Sequence, residues 1–324
     1  MNKKIVVVGS INLDLVAYVS RMPVEGETLM GRDFATYPGG KGANQAVGAA
    51  CLGGDVMMVG CLGDDIFAKQ LRRELDERRV DTRCVRNVSQ PSGSAVIMVT
   101  PKGGNAIVVI PGANYSLRPE NLDEHLEVFR DASIILSQLE IPIETVEYLG
   151  QLAADLGVPF LLDPAPAKAL SPKILRNVTW LTPNESETRS ILEYLGYPVH
   201  EDLLGDGAIA AAAQRLLATG VRNVILKLGG RGIYIAGADV PSTHIAPYRV
   251  NAVDTTAAGD AFNGGFAYAL THGRMSPIEA AQFASAVAAV SVTRVGAQPS
   301  MPKLSEVEEL MGLSAELPDG SLRS

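Results

Sequence analysis

Residues 253–265 form a polar turn of small residues that opens directly into a helical pattern. Unpaired backbone N–H groups at such a helix start, with the positive end of the helix dipole behind them, hold a phosphate or a developing oxyanion. Ala257, Ala258 and Gly259 are small enough to let a phosphate reach the main chain. Asp260 follows them, where a carboxylate can accept a proton from an attacking hydroxyl. An aspartate at a helix start is also an ordinary N-cap, and the small residues around this one favour the chemical role.

A second glycine turn, Gly39-Gly40-Lys41-Gly42, also leads into a helix. Lys41 and Asn44 are three apart and share a helix face, which suits a grip on adjacent hydroxyls of one small molecule. Asn12 and Asp14 follow an apolar run and point to one side of an extended chain. A carboxylate beside an amide can recognise a vicinal diol through paired hydrogen bonds. The stretch 182–187 brings Asn184, Glu185 and Glu187 to a strand end, where the acids could face hydrated magnesium. Asn184 and Glu187 also have capping-box spacing, and by itself that spacing favours the structural role.

These groups need a frame that gathers them. Short β-branched runs at 5–8, 56–59, 134–136, 159–162 and 224–228 read as buried parallel strands. Helical patterns cover 41–52, 67–79, 143–156, 185–195, 209–219, 260–271 and 277–292. The alternation predicts an α/β fold with a doubly wound, mostly parallel sheet flanked by helices on both faces. Segments 15–37 and 94–109 break the rhythm with short alternating runs, and we expect them to pair into a small inserted sheet. Residues 1–313 are read as one domain; a tail that frays from Glu306 onward, with 314–324 outside the domain, completes the chain.

Composition removes several classes of function. The net charge of −8 disfavours nucleic acid as a partner. Cys51, Cys61 and Cys84 cannot all pair and lack metal-ligand spacing, as expected of packing thiols in a reducing compartment. The four histidines are scattered, which argues against a histidine metal site. Lys3 and Lys4 precede a short apolar run, but Asn12 and Asp14 interrupt it too early for a signal peptide, and no membrane helix is expected. The chain is read as cytoplasmic. Neither G-x-x-x-x-G-K-S/T nor a G-x-G-x-x-G after a strand is present, which disfavours a P-loop kinase and a Rossmann dehydrogenase.

Taken together, Gly39 to Asn44, the downstream Gly60 to Asp65 and the run Asp254 to Gly264 resemble the ribokinase-like (PfkB) family of sugar kinases, in the family's order along the chain. The likeness extends from Gly9 to about Ser300. It includes Ser10 to Asp14, Gly112-Ala113-Asn114, Gln138-Leu139-Glu140, Asp163 to Ala167 and Arg294 to Ser300. It implies an ATP-dependent kinase that phosphorylates a sugar hydroxymethyl group, with D-ribose the leading acceptor. Asn12, Asp14, Gly40, Lys41, Asn44 and Glu140 would bind the sugar. Asp260 would be the base, and the amides of Ala257, Ala258 and Gly259 the anion hole.

The resemblance further implies that Asn184 and Glu187 organise magnesium-bound water near the triphosphate, which overrides the capping reading. Lys227 and Gly229 would lie along ATP beside Gly259. A potassium-type cation would be held by Asp254, Thr256, Ser291, Arg294, Gly296 and Ser300, several through carbonyls. Position 257 is Ala where much of the family has Gly, with no loss of activity expected. Pairing of lid sheets implies a homodimer. A kinase for 2-deoxyribose, a nucleoside or another sugar is the alternative. A non-catalytic sugar-binding regulator has no need of Asp260, Gly259 and Lys41 together, and a hydride-transfer enzyme lacks its fingerprint.

Overall fold

The computed structural model describes residues 4–101, 103–197 and 206–312. In chain order, β1 is Lys4–Val8, β2 Asn12–Tyr18, β3 Asp33–Gly39, α1 Lys41–Cys51, β4 Val56–Leu62 and α2 Ile66–Glu77. Then come β5 Val80–Asn87, β6 Gly93–Val99, β7 Asn105–Ile110, α3 Pro119–Asp123, α4 Leu126–Arg130 and β8 Ala132–Ser137. The middle holds α5 Ile143–Leu156, β9 Phe160–Leu162, α6 Pro172–Leu175, β10 Trp180–Leu181, α7 Glu185–Tyr194 and α8 Asp206–Leu217. The last elements are β11 Asn223–Lys227, β12 Ile233–Gly237, β13 Thr243–Ile245, α9 Ala258–Thr271, α10 Pro277–Ser291 and α11 Leu304–Leu310.

Nine strands form the main sheet in the order β13-β12-β11-β10-β9-β8-β1-β4-β5. It is parallel from β11 to β5, while β12 and β13 are antiparallel at one edge. Side chains alternate across a strand, so each central strand feeds two cores. Ile5 and Val7 pack with α1, α2, α9 and α10, whereas Val6 and Val8 pack with α3 to α8 on the other face. Ile225 and its neighbours Val224 and Leu226 divide in the same way. This two-sided burial is why the strands are continuous apolar runs, and the doubly wound expectation holds.

The chain leaves β1 towards β4 and β5, then returns to place β8 on the other side of β1. That reversal opens a crevice beyond the carboxyl ends of β1 and β8, where ligands bind in open α/β folds. The second sheet, of order β3-β2-β6-β7, stands over this crevice, and its strands fall in the two segments expected to form it. Its strand β2 begins only three residues after β1 ends, so Asn12 lies at the junction of both sheets.

Two points depart from the sequence reading. Residues 304–310 are helical rather than frayed, because Val307 inserts fully into the core beside partly buried Leu304 and Leu310. Residues 313–324 lie outside the described part. Cys61 and Cys84 are buried as expected, but Cys51 is only half-buried; all three thiols are free. Among the described residues no helix is long and apolar enough to cross a membrane.

Candidate active site

The N-terminus of α1 is fixed by its glycines. Gly40 has φ of 88°, and a Cβ there would meet the Asn12 backbone N at 2.7 Å and the Ser10 carbonyl O at 2.9 Å. Only glycine fits, since it alone tolerates this φ and this approach. At Gly39 a Cβ would lie 2.5 Å from Asp14 Oδ2, so the absent side chain leaves room for that carboxylate. The result sets Asp14 on β2, Lys41 on α1 and Glu140 after β8 around one hollow. The Lys41 N–H donates to Glu140 Oε2 at 3.1 Å, and Ser10 Oγ donates to the same oxygen at 2.6 Å. Asn12 is buried, and its Oδ1 accepts from Asn114 Nδ2 at 2.7 Å.

Helix α9 brings Asp260 to the same place from the opposite side. Ala257 precedes it with φ of 59°, a left-handed conformation that turns the chain sharply into the helix. Asp260 is 4% exposed. Asn44 Nδ2 donates to its Oδ2 and Gln45 Nε2 to its Oδ1, both at 3.0 Å. Asp260 thus does not serve as the N-cap; position 257 does, without a side-chain bond. The Asn44 Oδ1 is buried with no hydrogen-bond partner.

Electrostatics follow from burial. Burial pushes Asp260 up to about 6; Lys41 opposes this, Asp163 adds to it, and the Asn44 and Gln45 bonds pull it down. Burial also raises Asp14 to about 7, reinforced by Glu140 and Asp260. For Lys41, burial alone would favour the neutral amine, but Asp260, Asp163, Glu140 and Glu187 together raise its pKa above the usual lysine value. Lys41 is therefore charged, and Asp260 is ionised near neutrality yet basic enough to take a proton.

Beside this hollow lies a cavity of about 530 Å³ lined by Lys41, Asn184, Glu187, Lys227, Gly229, the 257–259 turn and Asp260. Lys227 Nζ pairs with Asp163 Oδ1 at 3.0 Å and sits over Gly259, where a Cβ would approach it to 3.2 Å. A lysine over a helix start that lines a cavity suits a phosphate, although the Ala258 amide donates to Thr255 O at 3.2 Å. The Asn184–Glu187 capping box forms, with Glu187 N donating to Asn184 Oδ1 at 2.9 Å and Asn184 N to Glu187 Oε2 at 2.8 Å. Burial raises the Glu187 pKa against the pull of Lys227. Capping and a cavity-facing role thus coexist in the same two residues.

The six residues of the expected cation site lie in the loop before α9, at the last residue of α10 and in the segment that follows α10. Asp254 Oδ2 accepts from Gly296 N at 2.9 Å while its Oδ1 accepts from Thr256 N and Oγ1, so one carboxylate stitches the two loops. Arg294 turns its guanidinium to Glu306. Ser291 and Ser300 are buried, their hydroxyls donating to Ala288 O and Ala297 O. Among the described residues no three His, Cys, Asp or Glu side chains gather as a metal site.

Three residues with a clear place here had no assigned role from sequence: Gln45, Gln138 and Asp163. Gln138 and Asp163 stand just after β8 and β9, and the rule that sites form beyond strand ends points to both. Gln45 gave no such signal.

Polar groups around one hollow, a buried carboxylate and a lysine over a helix start beside a cavity form the kind of arrangement a small-molecule kinase needs. The chain belongs to the pfkB family of carbohydrate kinases, whose model matches residues 2–304. It is 37% identical over 312 residues to the ribokinase of Haemophilus influenzae, covering 96% of this chain and 99% of that one. It is 39% identical over 314 residues to the deoxyribokinase of Salmonella typhi, covering 96% and 99%. The structure of Arabidopsis thaliana ribokinase complexed with ribose and ATP aligns with a TM-score of 0.88 at 34% identity, over 96% of this chain and 99% of that one. The protein is an ATP-dependent sugar kinase.

Proposed function

We propose that the protein transfers the γ-phosphoryl group of ATP to the terminal hydroxymethyl of D-ribose, giving D-ribose 5-phosphate. The observation that carries the choice of sugar is Asp14. Its carboxylate stands over Gly39 with its proton affinity raised by burial, beside the buried Asn12. Two adjacent hydroxyls donating to its two oxygens relieve that burial, and ribose offers such a diol. A 2-deoxy sugar leaves one oxygen without a donor. The deoxyribokinase relative keeps 2-deoxyribose as the second reading.

In this reading Asn12, Asp14, Gly40, Lys41, Asn44 and Glu140 hold the sugar. Asp260 takes the proton from the terminal hydroxyl as its oxygen attacks phosphorus. The amides of Ala257, Ala258 and Gly259, with Lys227, receive the charge that moves onto the transferring group. Lys227 and Gly229 lie along the nucleotide. Asn184 and Glu187, polar and cavity-facing, fit hydrated magnesium, which neutralises phosphate charge when bound. In this reading Asp254, Thr256, Ser291, Arg294, Gly296 and Ser300 would hold a potassium-type ion, several through backbone carbonyls, and the Asp254 bond to Gly296 brings the two segments together. The small sheet closes over the sugar and excludes water. Its exposed Phe34, Ile107 and Val108 support pairing with a second copy as a homodimer. A cytoplasmic enzyme is part of this reading.

The test is ADP formation with magnesium ATP, potassium and equal concentrations of D-ribose or 2-deoxyribose. A ribose rate at least about tenfold above the deoxyribose rate is expected from one lost buried hydrogen-bond partner. A higher rate with deoxyribose, or ADP with neither, overturns the choice of sugar.

A further inference from the structure

Gln45 is fully buried on α1 between two carboxylates. Its Nε2 donates to Asp260 Oδ1 at 3.0 Å and to Asp163 Oδ2 at 2.9 Å. Its Oε1 accepts from Gln138 Nε2 at 2.8 Å. An amide nitrogen carries two hydrogens, so both are committed to acids, and the bond from Gln138 fixes which end of the amide faces them. The other oxygen of Asp163 holds the Lys227 ammonium at 3.0 Å. An unbroken chain of bonds therefore runs from the lysine over the phosphate turn to the carboxylate that faces the sugar.

We propose that Gln45 is a positioning residue for phosphoryl transfer: it aims the Asp260 carboxylate and ties it to the Asp163–Lys227 pair. This rests on Asp260 being the base of the proposed reaction. With Asn44 on one oxygen and Gln45 on the other, the carboxylate cannot rotate about its bond to Cβ without losing a partner. A base held in line with the hydroxyl it serves needs that constraint.

The second role comes from the crowd of charge. Lys41 reaches Asp260 from α1, Asp163 from the loop after β9 and Asp14 from β2. Glu140 after β8 and Glu187 on α7 act on the same Lys41, and Lys227 at the end of β11 acts on Glu187. Five acids face two cations, and the neutral Gln45 amide placed between Asp163 and Asp260 gives each of these two carboxylates a hydrogen bond. Without it, two buried carboxylates would confront each other directly. Lowering by the Gln45 bond is one of the effects that keep Asp260 near 6 rather than higher.

Gln45→Met keeps the approximate length of the side chain and removes both donors. In the full-length enzyme with magnesium ATP and ribose, kcat is expected to fall at least about tenfold while KM for the sugar stays within about threefold. The acid limb of kcat, which reports the enzyme–substrate complex in which the sugar already engages Asp14, moves up by roughly half a pH unit or more, because a bond to the ionised Asp260 carboxylate is gone. Gln138→Met, which frees the Gln45 amide to rotate, moves the limb in the same direction by less and serves if the first variant fails to fold. A limb that stays put in the folded variants overturns the proposal even if kcat falls, since packing damage slows turnover without changing proton affinity. A wild-type enzyme with no sugar-dependent turnover overturns the kinase reading first, and this inference with it.

Discussion

Replacing Asp260 with Asn separates chemistry from folding. The carboxylate receives one N–H from Asn44 and one from Gln45. An amide can accept only one of them; its own NH2 then faces a donor, a conflict worth about 1–3 kcal/mol when buried. Against this, the substitution removes a buried charge. A carboxyl raised from 3.8 to about 6 carries roughly 3 kcal/mol of penalty when ionised, at about 1.4 kcal/mol per unit. That figure already contains the opposing attraction of Lys41. The sum leaves stability changed by no more than about 2 kcal/mol, small beside an ordinary folding free energy. Turnover, by contrast, is expected to drop by roughly 10² to 10⁴, the usual worth of a general base. Circular dichroism melting and a steady-state ADP assay measure the two separately, and ribose affinity by calorimetry checks that the hollow is intact. Turnover within about threefold of wild type, in a protein that melts normally, refutes the assignment of Asp260 as base.

The raised pKa of Asp14 predicts an unusual stability profile. Its carboxyl binds a proton more tightly folded than unfolded, so the unliganded protein gains stability as pH falls from about 7 towards 3.8, and Asp260 adds to this below about 6. Melting curves at pH 8 and pH 6, both approximate, should show a higher midpoint at the lower pH, and Asp14→Asn should flatten that slope while raising KM for ribose by about tenfold or more; an unchanged slope would remove Asp14 from this role. Asp254→Ala should abolish the rate increase seen when potassium chloride replaces choline chloride, because its carboxylate stitches Thr256 to Gly296. Retained potassium activation would show that those loops do not form the cation site.

The legible part of this fold is the part set by local pattern. Val6 and Ile225 sit in apolar runs because both sheet faces are covered, and a buried strand announces itself in that way. Trp180–Leu181 is a strand of two residues and carries no such signal; its pairing with β9 and β11 is decided by neighbours. The antiparallel edge β12–β13 follows the turn at Gly229–Gly232 and is too short to show alternation. Glu306, Glu308 and Glu309 make 304–310 look solvated, yet the spacing of Leu304, Val307 and Leu310 gives one apolar face, and burial of Val307 outweighs the charge.

The site divides similarly. Gly40, Lys41, Asn44 and the 257–260 turn are legible because glycine and small residues before a helix have few other purposes. Gln45 is not, since a glutamine inside an apolar helix reads as a surface position. Only the arrival of α9 and the β9 end, from 215 and 118 residues away in sequence, shows that it lies between two acids. Asn184 and Glu187 were readable as a cap, and the cap is real; their place beside Lys227 is a matter of tertiary structure.

Identification of the product by two-dimensional phosphorus–proton correlation, after incubating the enzyme with ATP, magnesium, potassium and D-ribose, tests the central claim most directly. The account predicts one new phosphomonoester whose phosphorus couples to the two hydrogens of the ribose C5 methylene, formed in step with ADP. Coupling to the anomeric hydrogen, or ADP released with inorganic phosphate and no sugar phosphate, would contradict it.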